Sequence, residues 1–166
     1  MANTTFSGPV ISDNGFVGTL TGNVTGNVTG NVTGSITGAT ANTELTAAST
    51  LTAAQSGTTF FLNAATEFAT TLPTPTAGLR YTFIVKAAPS GASYTIVTAS
   101  SANIIKGQAY PASGAAGDTG TADDTISFVD AQAVAGDRVE LYCDGTSWFA
   151  YAYCAVAAGV TFTQAS

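Results

Sequence analysis

Charge is what this chain lacks most. Only 8% of its 166 residues are Asp, Glu, Lys or Arg, against about a quarter in ordinary soluble domains. Histidine is absent altogether, which excludes histidine-dependent triads, imidazole general bases and the usual zinc ligand sets. The four basic residues, Arg80, Lys86, Lys106 and Arg138, are scattered along the sequence against ten acidic ones. No basic stripe is there to grip phosphates, so a nucleic-acid partner is not expected. No apolar run approaches the ~18 residues that span a bilayer, and no membrane partner is expected either. The opening Met1-Ala2-Asn3-Thr4-Thr5-Phe6 has neither the basic nor the apolar region of a secretory signal, so the expectation is a soluble protein made in a cytoplasm.

Cysteine is scarce as well. Cys143 and Cys154 flank an apparent hairpin, "RVELYCDGTSWFAYAYC". If the turn is Asp144-Gly145, or the four residues Asp144 to Ser147, Cys143 pairs with Thr146 or Trp148. Cys154 then lies ~20 Å or more along the second strand. A disulfide needs Cα atoms within ~7 Å, so free thiols are expected.

What is present is apolar and hydroxyl-bearing. Hydrophobic residues make up 45% of the chain, enough for one core. Near the start stand five tetrads of the form Gly-x-aliphatic-Thr, Gly18 to Thr37, three of them Gly-Asn-Val-Thr. Glycine at about 1 kcal/mol apiece, with β-branched neighbours, excludes a helix. The even period sets Gly22, Val24, Gly26 and Val28 on one face of an extended chain and Asn23, Thr25, Asn27 and Thr29 on the other. A lone strand cannot bury that apolar edge or pair its backbone, and four residues are too few for one coil of a solenoid. Identical chains winding together satisfy both needs, with Val24, Val28, Val32 and Ile36 buried as inter-chain contacts. A flexible Gly/Thr linker is the plainer alternative. Asn23, Asn27 and Asn31 match the N-glycosylation pattern, and the tetrad repeat is sufficient to generate it.

Residues 1–40 therefore read as an N-terminal arm and 41–57 as a polar hinge or adaptor, with a short helix around Glu44 to Ala48. Residues 58–166 read as a β-sandwich domain. Its strands are expected at Thr58–Leu62, Glu67–Leu72, Arg80–Ala87, Tyr94–Ala99, Asn103–Lys106, Thr125–Asp130, Arg138–Cys143, Trp148–Cys154 and Val160–Thr163. The fold class is all-β, an extended arm followed by an antiparallel sandwich or jelly roll. In "LRYTFIV", Leu79, Tyr81, Phe83 and Val85 share one face; in the last hairpin Phe149, Tyr151 and Tyr153 oppose Trp148, Ala150 and Ala152. Both faces of that strand are apolar, so one packs the core and the other meets a second sheet or subunit.

Few residues offer chemistry. Asp118-Thr119-Gly120 is the aspartic-protease triplet, but the mechanism needs two carboxylates sharing a proton, and "PASGAAG" before it is no apolar strand. Asp118, Asp123 and Asp124 have the oxygen chemistry of a Ca²⁺ site without the spacing of an EF-hand, and solvated loop carboxylates are the simpler reading. No catalytic residue, metal site or cofactor is expected. Trp148, Tyr151 and Tyr153 are candidate surface aromatics for stacking on sugars.

The opening "FSGPVISDNGFVG" with its Gly-Asn-Val-Thr tetrads resembles the N-terminal arms of small virion structural proteins of tailed phages, especially marine ones. The later "TLPTPTAGLRYTFIVKAAPSGASYTIVTA" and "GDRVELYCDGTSWFAYAY" are similar to a β-sandwich module of phage capsid-decoration and tail-fibre proteins, in which a D-G-T-x-W hairpin closes the fold. The resemblance implies a homotrimeric decoration, or cement, protein on the major capsid protein of a virion assembled in the host cytoplasm. Its alternative is a short tail fibre or spike that contacts tail proteins and a host surface glycan.

Overall fold

The computed structural model describes residues 42–164. The repeat arm, with Val24, Val28, Val32 and Ile36, lies outside the described residues.

The chain begins by alternating between two sheets. Strands β1 (Asn42–Leu45), β3 (Thr59–Leu62) and β5 (Arg80–Val85) pair side by side in one sheet, while β2 (Ser49–Thr50), β4 (Ala69–Thr71) and β6 (Tyr94–Val97) pair in the other. Each odd strand is followed by an even strand across the sandwich before the chain returns. Neighbours in each sheet therefore run parallel, with Asn42 opposite Thr59 and Thr59 opposite Thr82. Parallel pairing needs a long crossover, and here a strand of the opposite sheet supplies it.

The second half mixes in hairpins. β7 (Ile105–Pro111) turns back antiparallel as β8 (Thr119–Asp123), β9 (Thr125–Phe128) crosses to the other sheet, β10 (Arg138–Cys143) and β11 (Trp148–Cys154) form a hairpin, and β12 (Val160–Thr163) crosses again. The result is a seven-stranded sheet in the order β1-β3-β5-β10-β11-β7-β8 and a five-stranded sheet in the order β12-β9-β6-β4-β2.

The fold is all-β, as expected, with both sheets mixed in direction and not antiparallel throughout. Short spacing between strands suggested hairpins, whereas most of those short steps lead across the sandwich. The segment expected as a hinge contributes β1 to one sheet and β2 to the other. The helix expected near Glu44 is instead strand β1, ended by Leu45 turning into the core. Within 42–57 the helical turn lies later, in the three-residue 3₁₀ segment Ala53–Gln55. The acidic stretch around Thr119 is strand β8, and the strand expected to end at Lys106 runs on to Pro111.

The core fills the space between the sheets. The larger sheet contributes Phe60, Tyr81, Phe83, Leu141 and Trp148, and the smaller one Tyr94, Ile96, Ile126, Phe128 and Val160. Phe60 stacks on Phe83 with centroids 5.4 Å apart, and Tyr81 leans on Trp148 at 5.8 Å. Strict alternation in β5 and β11 places every second side chain in this layer. Ala150 and Ala152 follow Trp148 on the inner face, which makes room for the indole. Beside them Gly107 is obligatory, because a Cβ there would stand 2.3 Å from the Ala150 carbonyl oxygen.

Both cysteines are buried and free. Cys143 pairs with Trp148, so Cys154 lies at the far end of β11. Burial, reinforced by the charge of Asp137, raises the Cys154 thiol pKa.

Candidate functional site

The β10–β11 hairpin is set by the loop Asp144 to Ser147. Asp144 Oδ1 accepts bonds from the amides of Ser147 at 2.7 Å and Thr146 at 2.8 Å, and from the Thr146 hydroxyl at 2.9 Å. Those donors, Ser147 first, hold its carboxyl below the usual value of 3.8. Gly145 takes φ of 105°, a conformation that favours glycine. The loop locks Tyr142 opposite Phe149, Glu140 opposite Tyr151 and Arg138 opposite Tyr153 on the outer face.

Parallel pairing of β7 extends these rows. Lys106 lies beside Phe149, Gln108 beside Tyr151 and Tyr110 beside Tyr153. Arg80 of β5 adjoins Tyr142 on the other side. The outer face of the seven-stranded sheet thus gathers five aromatics, Tyr110, Tyr142, Phe149, Tyr151 and Tyr153, each 36–46% exposed. Tyr110 stacks on Tyr153 at 5.7 Å, and Tyr142 meets Tyr151 edge-on at 6.2 Å. The Arg138 guanidinium sits 4.4 Å from the Tyr153 ring and 3.3 Å from Glu140, while Lys106 lies 5.8 Å from the Phe149 ring.

The four cations, scattered in sequence, come together on this face. Lys86 directly follows β5 and pairs with Glu44 of β1. Glu44 and Glu140 share the face with them, and Asp144 at the hairpin tip interacts with Lys106. Two shallow hollows flank the Tyr142–Phe149 pair. One, of about 240 Å³, is lined by Arg80, Thr59, Thr82 and Tyr142; the other, of about 210 Å³, by Lys106, Gln108, Tyr110, Phe149 and Tyr151.

Of the candidate surface aromatics, Tyr151 and Tyr153 stand on this face and Trp148 does not. Trp148 is wholly buried on the opposite side of β11, so its contact is with the core. Sequence reasoning passed over Tyr110, Tyr142, Arg80 and Lys106. The alternation of "KGQAY" in β7 was a readable signal, but only the parallel β7–β11 pairing makes its outward residues neighbours of the hairpin's.

The acidic candidates serve the backbone. Asp118 accepts from the Phe162 amide at 2.7 Å and the Thr119 amide at 2.9 Å, joining β8 to β12. Asp123 accepts from the Thr121 amide at 3.0 Å. Buried Asp124 accepts the Thr125 hydroxyl at 2.7 Å. Among the described residues, no three Cys, Asp or Glu side chains come close enough to hold a metal ion. The protease triplet is therefore the start of β8, where Asp118 fastens one sheet's edge to the other's.

No known protein family matches this chain, and neither the curated proteins nor the solved structures contain one detectably similar to it.

Proposed function

We propose that this protein is a non-enzymatic structural component of a phage virion, a homotrimeric decoration protein whose arm fastens it to the major capsid protein. The observation that carries this reading is what the folded unit leaves exposed, a broad aromatic and cationic sheet face suited to contact with a large partner. Asp118, Asp123 and Asp124 support the same reading, since the bonds they accept come from β8, β9 and β12 themselves. The Gly-x-aliphatic-Thr arm adds the need for identical partners, and three weak attachments held together gain avidity well beyond any one of them. The resemblance to virion arms and sandwich modules supplies the particular setting, the surface of a head under pressure from packed DNA.

The test is assembly of the full chain. Val24→Asp combined with Val28→Asp is expected to convert trimers to monomers in size-exclusion chromatography with light scattering, and to abolish capsid attachment. Trimers that survive both changes would remove the arm from the assembly role. A second reading, a short tail fibre, is favoured by the exposed aromatics, which suit contact with a host glycan. Gold-labelled electron microscopy separates the two: label on the head supports decoration, and label on the tail supports the fibre. Loss of host adsorption in Tyr151→Ala would support contact between this face and a host glycan.

A further inference from the structure

We infer that the outer face of the seven-stranded sheet binds a carboxylated polysaccharide, a chain of uronic-acid type, laid across the strands over the Tyr142–Phe149 ridge. The inference deepens the glycan reading above by giving the ligand a charge and a track. It concerns the folded unit and holds whether the arm fastens to head or tail.

Register builds the track. Arg80, Tyr142, Phe149 and Lys106 occupy one continuous row across β5, β10, β11 and β7. With strands ~4.8 Å apart, the two cations bracket the two rings at roughly 14 Å. Each cation sits in its own hollow beside hydrogen-bonding groups, Thr59 and Thr82 with Arg80, Gln108 and Tyr110 with Lys106. Rings offer flat faces to the C–H faces of sugars, and hydroxyl and amide groups match a ligand covered in hydroxyls.

Charge selects among sugars. The chain is acidic overall, with formal charge −6, yet among the described residues its four cations share this face with two glutamates, Glu44 and Glu140, and with Asp144 at the hairpin tip. Lys86 is committed to Glu44, and Arg138 to Glu140 and the Tyr153 ring. Arg80 and Lys106 carry no ion pair within 4.0 Å among the described residues, although Asp144 at the hairpin tip lies within electrostatic reach of Lys106. Arg80 presents a planar fork suited to a carboxylate. Two well-separated cations fit a polymer with carboxylates at intervals. A nucleic-acid strand presents bases and phosphates in place of the run of hydroxyls that Thr59, Thr82 and Gln108 match, which favours the sugar polymer.

The test uses the full-length protein in native gels containing polygalacturonate, dextran or no polymer, with oligo(dT) as a competitor. Retardation by polygalacturonate, weakened by salt and absent with dextran, is expected. Tyr142→Ala and Phe149→Ala should each weaken it about tenfold, and Arg80→Gln with Lys106→Gln should remove it; unchanged near-ultraviolet circular dichroism would show that these surface variants still fold. Equal retardation by dextran would overturn the acidic inference while sparing the glycan reading. No retardation by either polymer, or stronger binding of oligo(dT), would overturn both. Sedimentation showing self-association that Phe149→Ala abolishes would assign the face to a second copy of the chain and overturn the inference.

Discussion

Both faces of strand β11 carry aromatic side chains, one inside and three outside, and they differ in their neighbours. Inside, Trp148 is followed by Ala150, Ala152 and Cys154; outside stand Phe149, Tyr151 and Tyr153. The inner neighbours are apolar and of complementary size, Leu141 and Cys143 on β10 and Ile105 on β7. The outer neighbours are Arg138, Glu140, Lys106 and Gln108, polar groups of which Arg138 and Lys106 lie over the Tyr153 and Phe149 rings, and the rings stay more than a third exposed. Hydrophobicity alone does not distinguish a core face from a binding face. The distinction lies in whether large residues are matched by small ones, and whether the neighbours along each row are polar.

That contrast has measurable depth. Trp148→Ala empties the centre of the core and should cost about 3–5 kcal/mol, read as a fall in the denaturant midpoint. A loss below about 1 kcal/mol would mean that the inner face packs no more tightly than the outer one. Gly107→Ala should come next, at roughly 1–3 kcal/mol, because the added methyl meets the Ala150 carbonyl across the β7–β11 ladder. Tyr153→Ala, on the outer face, removes a stacked tyrosine and an exposed cation–π contact and should cost only about 0.5–1 kcal/mol. If it destabilised as much as Trp148→Ala, the face would be structural and its ligand role would fail.

Much of this contrast was legible beforehand. Alternation in "LRYTFIV" and "WFAYAYC" placed Tyr81, Phe83 and the split between Trp148 and Tyr151 correctly, because period two is a local property of a strand. The same pattern could not say which side of β11 faces inward, and Trp148 was carried as a surface aromatic alongside Tyr151. Long-range pairing was less readable. Nothing between Ile105 and Pro111 announces a parallel partner forty residues on, so Lys106 and Tyr110 could not be joined to the hairpin. The four cations looked scattered for the same reason, since sheet order and not chain order collects them. Asp118 was read as a loop carboxylate when it ties β8 to β12, a partnership set by tertiary approach.

The smallest expected effect lies where the two faces are assigned. A slip of one residue in the β10–β11 register would turn Trp148 outward and Phe149 inward, and the Asp144 loop is what fixes that register. Asp144→Asn keeps the acceptor oxygen and removes the charge, so only the charge-assisted part of its three bonds is lost. The carboxyl pKa is lowered in the folded chain from 3.8. The ionised form is therefore favoured by folding, and its contribution is present above 3.8 and is lost as pH falls through the lower folded value. The wild type should melt slightly higher than Asp144→Asn at neutral pH, and the two melting curves should converge as the solution is acidified below that value. A difference that persists unchanged in acid would show that the geometry of the loop, and not its charge, holds Trp148 in and Phe149 out.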